Sequence, residues 1–169
     1  MRVVAGRYGG RTLKAPRGRD VRPTADRVRE ALFSILGPLD GVRVLDLFAG
    51  TGALGIEALS RGAASCVFVD VDTRSVQANL DALGIDAEVR RNRALSALVP
   101  GDQYDLVLLD PPYRDAERLG PELTEALPPV LRPSARVVSE SDRRHPLDLK
   151  LPLHDERRYG DTLIRIHHA

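Results

Sequence analysis

The chain has 169 residues, of which 43% are hydrophobic and 29% are charged, a balance typical of one globular domain rather than a disordered chain. It has no run of about 18 apolar residues and a single cysteine, Cys66, which argues against a membrane span, a disulfide and a cysteine-based zinc cluster. We expect a cytoplasmic protein in which Cys66, lying in an apolar run, is a small core residue.

The positive charge is concentrated at the start of the chain. The net charge is only +1, but residues 1–29 carry eight arginines and one lysine against two aspartates, a local charge of +7. A basic segment joined to a mildly acidic body favours a polyanionic partner that contacts mainly this segment. Residues 2–14 read as a hairpin around two glycines, and a solvated, flexible arm is the alternative. The basic candidates for the contact are Arg2, Arg7, Arg11 and Lys14.

A helix is predicted next, with Thr24 as its cap, apolar residues at helical spacing from Val28 to Leu36, and Gly37 at its end. From there strands and helices alternate, which predicts an α/β fold with a parallel sheet and helices on both faces. The predicted strands are Arg43–Leu47, Ser65–Val69, Ala87–Arg90, Tyr104–Leu109, Arg136–Glu140, Leu153–Tyr159 and Thr162–His167. The predicted helices are Leu54–Ser60, Arg74–Leu83, Ala94–Leu98 and Pro121–Leu127.

The end of the chain departs from this alternation. The last two predicted strands are separated only by Gly160 and Asp161, so they must be antiparallel. His167 and His168 are predicted to lie on the surface of an edge strand, and we assign them no catalytic role.

A glycine-rich turn follows the first strand. Gly50, Gly52 and Gly55 have the GxGxxG spacing between a strand and a helix, and Asp70 follows the next predicted strand. Glycines let the backbone approach a ligand, and a carboxylate at that strand end can bind a ribose, so nicotinamide and S-adenosylmethionine sites look alike here. Asp46 favours S-adenosylmethionine, because a carboxylate there would repel a pyrophosphate but attract an ammonium or a sulfonium. A merely structural turn is the other alternative.

The sequence DPPY at residues 110–113 directly follows the most apolar predicted strand, at the sheet edge where ligands of open α/β sheets bind. An amino group on a base is a poor nucleophile because its lone pair is delocalised into the ring, so an enzyme must accept its hydrogens. Asp110 supplies a carboxylate, Pro111 supplies a carbonyl, and the two successive prolines hold these acceptors in place. Tyr113 offers a flat face for an extruded base. The segment predicts methylation of an exocyclic amine without a metal, and a rigid loop exit is the alternative.

Four motifs occur in order along the chain: residues 2–6 (RVVAG), 22–33 (RPTADRVREALF), 46–58 (DLFAGTGALGIEA) and 110–113 (DPPY). Together they resemble the RsmD family of bacterial 16S ribosomal RNA guanine-N2 methyltransferases. The resemblance implies a Rossmann-like S-adenosylmethionine-dependent methyltransferase fold, with a seven-stranded, mostly parallel sheet and an antiparallel last strand. It implies a monomer that methylates a flipped guanine of 16S rRNA in the small ribosomal subunit or its assembly intermediate.

The resemblance also assigns roles to residues. The methionine part of the cofactor would be lined by Asp46, Phe48, Gly50 and Gly52. Asp70 would hold the ribose, and the adenine would lie near Arg93 and Ala94, where related enzymes often have Asp or Asn. The target guanine would be held by Asp110, Pro111, Pro112 and Tyr113. RNA phosphates or the cofactor carboxylate would be contacted by Arg22, Thr24 and Arg27, and the alternative is helix capping by Thr24 with solvated arginines.

These assignments divide the chain into a basic extension for RNA contact, residues 1–37, and a catalytic domain, residues 38–169. Three other functions stay open from the residues themselves. One is adenine-N6 or cytosine-N4 methylation of DNA or RNA, although 169 residues leave no room for a separate DNA-reading domain. The others are a nicotinamide-dependent oxidoreductase and a non-enzymatic RNA binder in ribosome assembly.

Overall fold

The computed structural model describes residues 1–15 and 26–169, and seven strands in these ranges form one sheet. The strands are β1 (Arg43–Leu47), β2 (Ser65–Asp70), β3 (Glu88–Arg91), β4 (Tyr104–Leu109), β5 (Leu131–Asp142), β6 (Leu153–Tyr159) and β7 (Thr162–His168). Their order is β3-β2-β1-β4-β5-β7-β6, and of these seven strands β7 alone runs in the direction opposite to the other six. The predicted mostly parallel sheet with an antiparallel last strand is confirmed.

Helices pack on both faces of the sheet. Those of the described residues are α1 (Asp26–Leu36), α2 (Ala53–Ser60), α3 (Arg74–Leu83) and α4 (Ala116–Ala126). Because strand side chains alternate between faces, the apolar residues form two clusters. One joins α1, α2 and α3 to strand residues such as Phe68, and it also buries Cys66, as predicted. The other joins α4 to strand residues such as Val107. None of the helices within residues 1–15 and 26–169 has the length and apolar character needed to cross a bilayer.

Two predicted elements differ from the structure by several residues, and the other predicted bounds differ by about one. Helix α4 begins at Ala116, ahead of the predicted start at Pro121, because Ala116 and Leu119 already face the core and Pro121 lies on the exposed side. Strand β5 runs from Leu131 to Asp142, beyond the predicted Arg136–Glu140. Its first residues pair with β4 across an irregularity, and its last residues pair with β7.

The prediction for His167 is wrong. Strand β7 lies between β5 and β6, so it is an inner strand, and His167 is only 2% exposed. Its Nδ1 lies 3.1 Å from the carbonyl oxygen of Leu151, and burial lowers the pKa of the imidazole below its ordinary value. His168 is half-buried and stacks on His154 at the sheet edge.

Candidate active site

The carboxyl ends of neighbouring parallel strands bring the two predicted motifs to one edge of the sheet. Leu47 of β1 is in register with Leu109 of β4 on one side and with Val69 of β2 on the other. Adjacent strands are about 4.8 Å apart, so the residues that follow these strands are neighbours. The glycine turn and the DPPY segment therefore begin at the same level on adjacent strands.

The glycine turn is held in a conformation that glycine favours. Gly50 and Gly52 have φ angles of 56° and 79°. The Gly50 N–H donates to a carboxylate oxygen of Asp70 at 2.8 Å, which ties the turn to the end of β2. A Cβ on Gly52 would lie 2.7 Å from a methyl carbon of Val76. Phe48, just before the turn, also has a positive φ of 64°, a conformation that is rare outside glycine.

Gly55 has a packing role in the same motif. A Cβ at this position would lie 2.3 Å from the Phe68 ring and 2.9 Å from a carboxylate oxygen of Asp46. Because real Cβ atoms do not approach other atoms so closely, only glycine lets α2 lie directly on β1 and β2. The third glycine of the motif therefore sets the closeness of helix and sheet.

Asp46 is buried beneath the turn and is only 1% exposed. One of its carboxylate oxygens accepts the Gly55 N–H at 2.9 Å. Burial raises the pKa of Asp46 to about 7, the hydrogen bond from Gly55 opposes this shift, and the nearby charge of Asp70 adds to it. The protonation of this carboxyl group is therefore sensitive to a cation placed near it.

Asp70 is a preorganised, partly exposed acceptor. Its two carboxylate oxygens accept the N–H groups of Gly50 and Asp72, at 2.8 and 2.9 Å. Each carboxylate oxygen has two lone pairs, so acceptor sites remain on both. The carboxylate can therefore accept hydrogen bonds from a diol while its orientation stays fixed by the backbone.

An apolar surface beside Asp70 was not predicted from the sequence. Val71 is 61% exposed, although it directly follows a buried strand. The predicted adenine contacts lie at the end of the neighbouring strand β3, where the Asn92 N–H donates to the Asp70 carbonyl at 3.0 Å. Arg93 is exposed and Ala94 is buried. No local pattern in the sequence marks Val71 as exposed.

The DPPY segment leaves β4 along a fixed path. Asp110 and Tyr113 are half-buried, Pro111 is buried and Pro112 is exposed. The Pro112 carbonyl accepts the Asp115 N–H at 2.9 Å, which closes a single helical turn over Tyr113–Asp115 that leads into α4. The turn thus sets the backbone conformation of Tyr113, and the ring of Pro112 fixes the φ angle of Pro112 itself, the residue before Tyr113.

The N-terminal hairpin is packed against α2 and α3, which excludes the flexible-arm alternative for residues 1–15. Arg2 and Thr12 form an antiparallel bridge, and the side chains of Val3 and Leu13 are buried in the core. The fully buried carboxylate of Glu57, on α2, accepts the N–H groups of Val4 and Ala5 at 2.7 and 3.1 Å.

Docking of the hairpin also constrains its turn. Gly6 has a φ of 81°, and a Cβ on it would lie 1.8 Å from the carbonyl oxygen of Ser60. The same carbonyl accepts the Arg7 N–H at 2.8 Å, and the Ser60 hydroxyl accepts the Tyr8 N–H at 2.9 Å. Because Ser60 ends α2, Arg7 lies at the end of that helix that is remote from the glycine turn.

The predicted RNA contacts are therefore spread along the molecule. The predicted contact residues that are exposed in the structure are Arg2, Arg7, Arg11, Lys14 and Arg27. Arg2 pairs with Asp26 at 3.2 Å, and the backbone of Lys14 is close to the glycine turn through Asn79. Arg22 and Thr24, including the predicted cap, lie outside the described residues.

Three buried polar residues were missed by sequence reasoning. They are Glu57, Asn79 and Arg29, and all three hold the N-terminal hairpin in place through hydrogen bonds to its backbone. Arg29 of α1 lies 3.8 Å from the Glu57 carboxylate and donates to the Arg2 carbonyl. The signal for Glu57 was its being the only charged residue of an otherwise apolar helix.

Known proteins resemble this chain in sequence over most of its length. A family model described as conserved hypothetical protein 95 matches residues 1–168. Ribosomal RNA small subunit methyltransferase D of Escherichia coli K12 is 41% identical over 120 residues, which are 68% of this chain and 61% of that protein. The protein of the same name from Haemophilus influenzae is 37% identical over 159 residues, covering 87% of this chain and 81% of that one.

The chain belongs to the RsmD family. A solved structure of a hypothetical protein from Thermus thermophilus is 30% identical and superposes with a TM-score of 0.85, covering 100% of this chain and 99% of that one. This RsmD-family chain thus has the Rossmann-like fold of S-adenosylmethionine-dependent methyltransferases, as predicted. As a member of this family, it is a methyltransferase.

Proposed function

We propose that the protein transfers a methyl group from S-adenosylmethionine to the N2 amino group of a guanine in 16S ribosomal RNA. The observation that carries this proposal is the DPPY segment beginning beside the glycine turn, on strands in register at Leu47 and Leu109. Relatives named ribosomal RNA small subunit methyltransferase D support ribosomal RNA of the small subunit as the substrate.

The cofactor would lie across the carboxyl ends of β1, β2 and β3. Its methionine part would follow the turn, with Gly50 and Gly52 giving close backbone approach and Phe48 beside them. The buried Asp46 would attract its cationic groups, and Asp70 would bind the ribose hydroxyls. The adenine would lie between the exposed Val71 and the Arg93–Ala94 backbone. The cofactor supplies an electrophilic methyl group, so the protein needs to supply mainly position and hydrogen-bond acceptors.

The chemistry of the target amine would depend on the DPPY segment. Asp110 accepts one amino hydrogen and the Pro111 carbonyl accepts the other, which draws the nitrogen out of conjugation and toward tetrahedral geometry. As the nitrogen–carbon bond forms and the sulfur–carbon bond breaks, the nitrogen becomes cationic and releases a proton toward Asp110. Tyr113 stacks on the flipped base, and such stacking contributes about 1 to 3 kcal/mol. Pro112 fixes the path of the segment.

The partner would be the small subunit or its assembly intermediate, contacted by a monomer. The basic extension, residues 1–37, would bind RNA phosphates, and residues 38–169 would carry catalysis. The exposed cationic side chains of the hairpin and of Arg27 support this division.

The test is labelled-methyl transfer onto small subunits from a strain that lacks the modification, with free 16S rRNA and DNA as parallel substrates. We expect label in the subunits and N2-methylguanosine as the labelled nucleoside. Label in N6-methyladenosine or N4-methylcytidine would contradict this proposal and would show that the target amine belongs to adenine or cytosine. Subunit binding without transfer would favour an RNA binder.

Cofactor affinity should depend on pH through Asp46. The pKa of Asp46, about 7, lies above its ordinary value of 3.8, so the folded protein favours the protonated carboxyl group. The contribution of this group to the free energy of unfolding is therefore complete below pH 3.8 and is lost as the pH rises through 7. A cationic cofactor favours the carboxylate, so its binding should tighten as Asp46 ionises. We expect affinity for S-adenosylmethionine to rise about eight-fold from about pH 6 to 7.5.

Isothermal titration calorimetry over this pH range measures the effect. The Asp46→Asn variant is the matched control, because it retains any titration of the ligand itself. A pH profile of equal slope in both proteins would contradict the role given to Asp46.

A further inference from the structure

The side-chain amide of Asn79 joins the N-terminal hairpin to the glycine turn. Asn79 lies on α3 and is 2% exposed. Its oxygen accepts the Lys14 N–H at 2.8 Å, and its nitrogen donates to the Lys14 carbonyl at 3.1 Å and to the Thr51 carbonyl at 2.9 Å. Thr51 is the residue between Gly50 and Gly52. One amide therefore touches both the extension and the cofactor turn.

The pattern of these bonds fixes the orientation of the amide. Its oxygen must face the Lys14 N–H, and its two hydrogens must face the two carbonyls, so a flipped amide would lose all three bonds. A second contact links the same parts, because the Thr51 hydroxyl lies 3.6 Å from the sulfur of Met1 and the Met1 carbonyl accepts the Leu13 N–H. Both ends of the hairpin are thus attached to the turn.

Burial makes these bonds interdependent. If the hairpin moves away, the Asn79 amide loses two of its three partners, and only water that enters the opened site can replace these hydrogen bonds. The amide is then also free to release Thr51, whose carbonyl orientation depends on it. Conversely, a turn that loses its conformation removes the Thr51 carbonyl, one of the three groups that fix the orientation of the amide toward Lys14. The docked hairpin therefore stabilises the conformation of the glycine turn, and the turn stabilises the docked hairpin.

We propose that Asn79 is a positioning residue that couples cofactor binding at the glycine turn to RNA binding by the extension. The proposal rests on the RNA contact assigned to the extension under the proposed function. A ligand that holds the turn in its docked conformation favours the docked hairpin, and RNA that holds the hairpin favours the turn. Linkage makes the effect reciprocal, so each ligand raises the affinity of the other by the same factor.

The experiment is equilibrium dialysis of labelled S-adenosylhomocysteine against the 169-residue chain, with and without saturating small subunits that lack the modification. In the wild-type protein we expect subunits to tighten binding by about five-fold or more. In the Asn79→Leu variant, which removes all three bonds at similar volume, this ratio should fall below about two.

Two further variants separate coupling from folding. Asn79→Asp keeps the acceptor for the Lys14 N–H but loses both donors, so it should also lower the ratio. Gln77→Ala, on the exposed side of the same helix, removes only a bond to Asp81 and should keep the wild-type ratio. A role limited to stability would lower the melting temperature and leave the ratio unchanged.

Equal ratios in wild-type and both Asn79 variants would overturn the proposal. Wild-type protein that binds and methylates subunits but shows no change in cofactor affinity would overturn the coupling alone. Wild-type protein that binds no subunits would overturn both the proposed substrate and the coupling.

Discussion

Replacing Asp110 with alanine should lower kcat by about 10² to 10⁴, the usual contribution of a positioned proton acceptor. The carboxylate accepts an amino hydrogen, and without it the nitrogen lone pair stays conjugated with the ring. Affinity for S-adenosylmethionine should change by less than about two-fold, because the turn proposed to bind the cofactor follows β1 and not β4. Single-turnover methyl transfer onto unmodified small subunits, with a separate binding measurement, resolves the two effects.

A matched control lies at the other end of the same strand. Asp105 accepts the Arg43 N–H and pairs with Arg132, away from the proposed active site. We expect the Asp105→Ala variant to retain the wild-type kcat, with at most a modest loss of stability. If the Asp110→Ala variant also turned over at the wild-type rate, the catalytic role of the segment would be wrong.

Replacing Arg2, Arg11 and Lys14 together with glutamine should weaken binding to small subunits and flatten its dependence on salt. Each phosphate contact releases counterions, so three lost contacts should reduce the slope of log affinity against log salt concentration by about two to three. Binding measured between about 50 and 200 mM salt gives this slope. The cofactor affinity of the free protein should stay close to wild-type, since these residues are exposed and the ion pair of Arg2 with Asp26 is a surface contact.

The control removes an equal number of charges elsewhere. Lys150, Arg157 and Arg158 are exposed, and the two arginines lie on the edge strand β6, across the sheet from the glycine turn. Their substitution with glutamine should leave the slope near its wild-type value. Equal slopes for both triple variants would show that position does not matter, and would remove the extension from the RNA interface.

The parts of the fold that could be predicted are those that residues close together in sequence specify. The strand ending at Leu47, the turn from Gly50 to Gly55 and the prolines after Asp110 are each specified by neighbours in sequence, and the structure has the predicted turn between β1 and α2. Alternation of strands and helices predicts the parallel sheet, because crossover handedness allows few other arrangements.

The parts that were not predictable depend on residues distant in sequence. Glu57 and Asn79 hold the hairpin through bonds that span 52 to 65 residues, and an isolated acidic or amide residue in a helix gives little sign of such a partner. The insertion of β7 between β5 and β6 buries His167, although a strand near the end of a chain is often an edge strand. The exposed Val71 is visible only once burial is known.

The most direct measurement of the proposed chemistry is a crystal structure with S-adenosylhomocysteine bound. We predict that its sulfur faces Asp110 across a gap of about 5 to 8 Å, the span of a sulfur–methyl bond, a near-attack contact and one hydrogen bond. That gap should admit one planar base against Tyr113. A sulfur turned away from residues 110–113, or a segment packed on the turn with no space for a base, would contradict acceptor-assisted methylation of an amine.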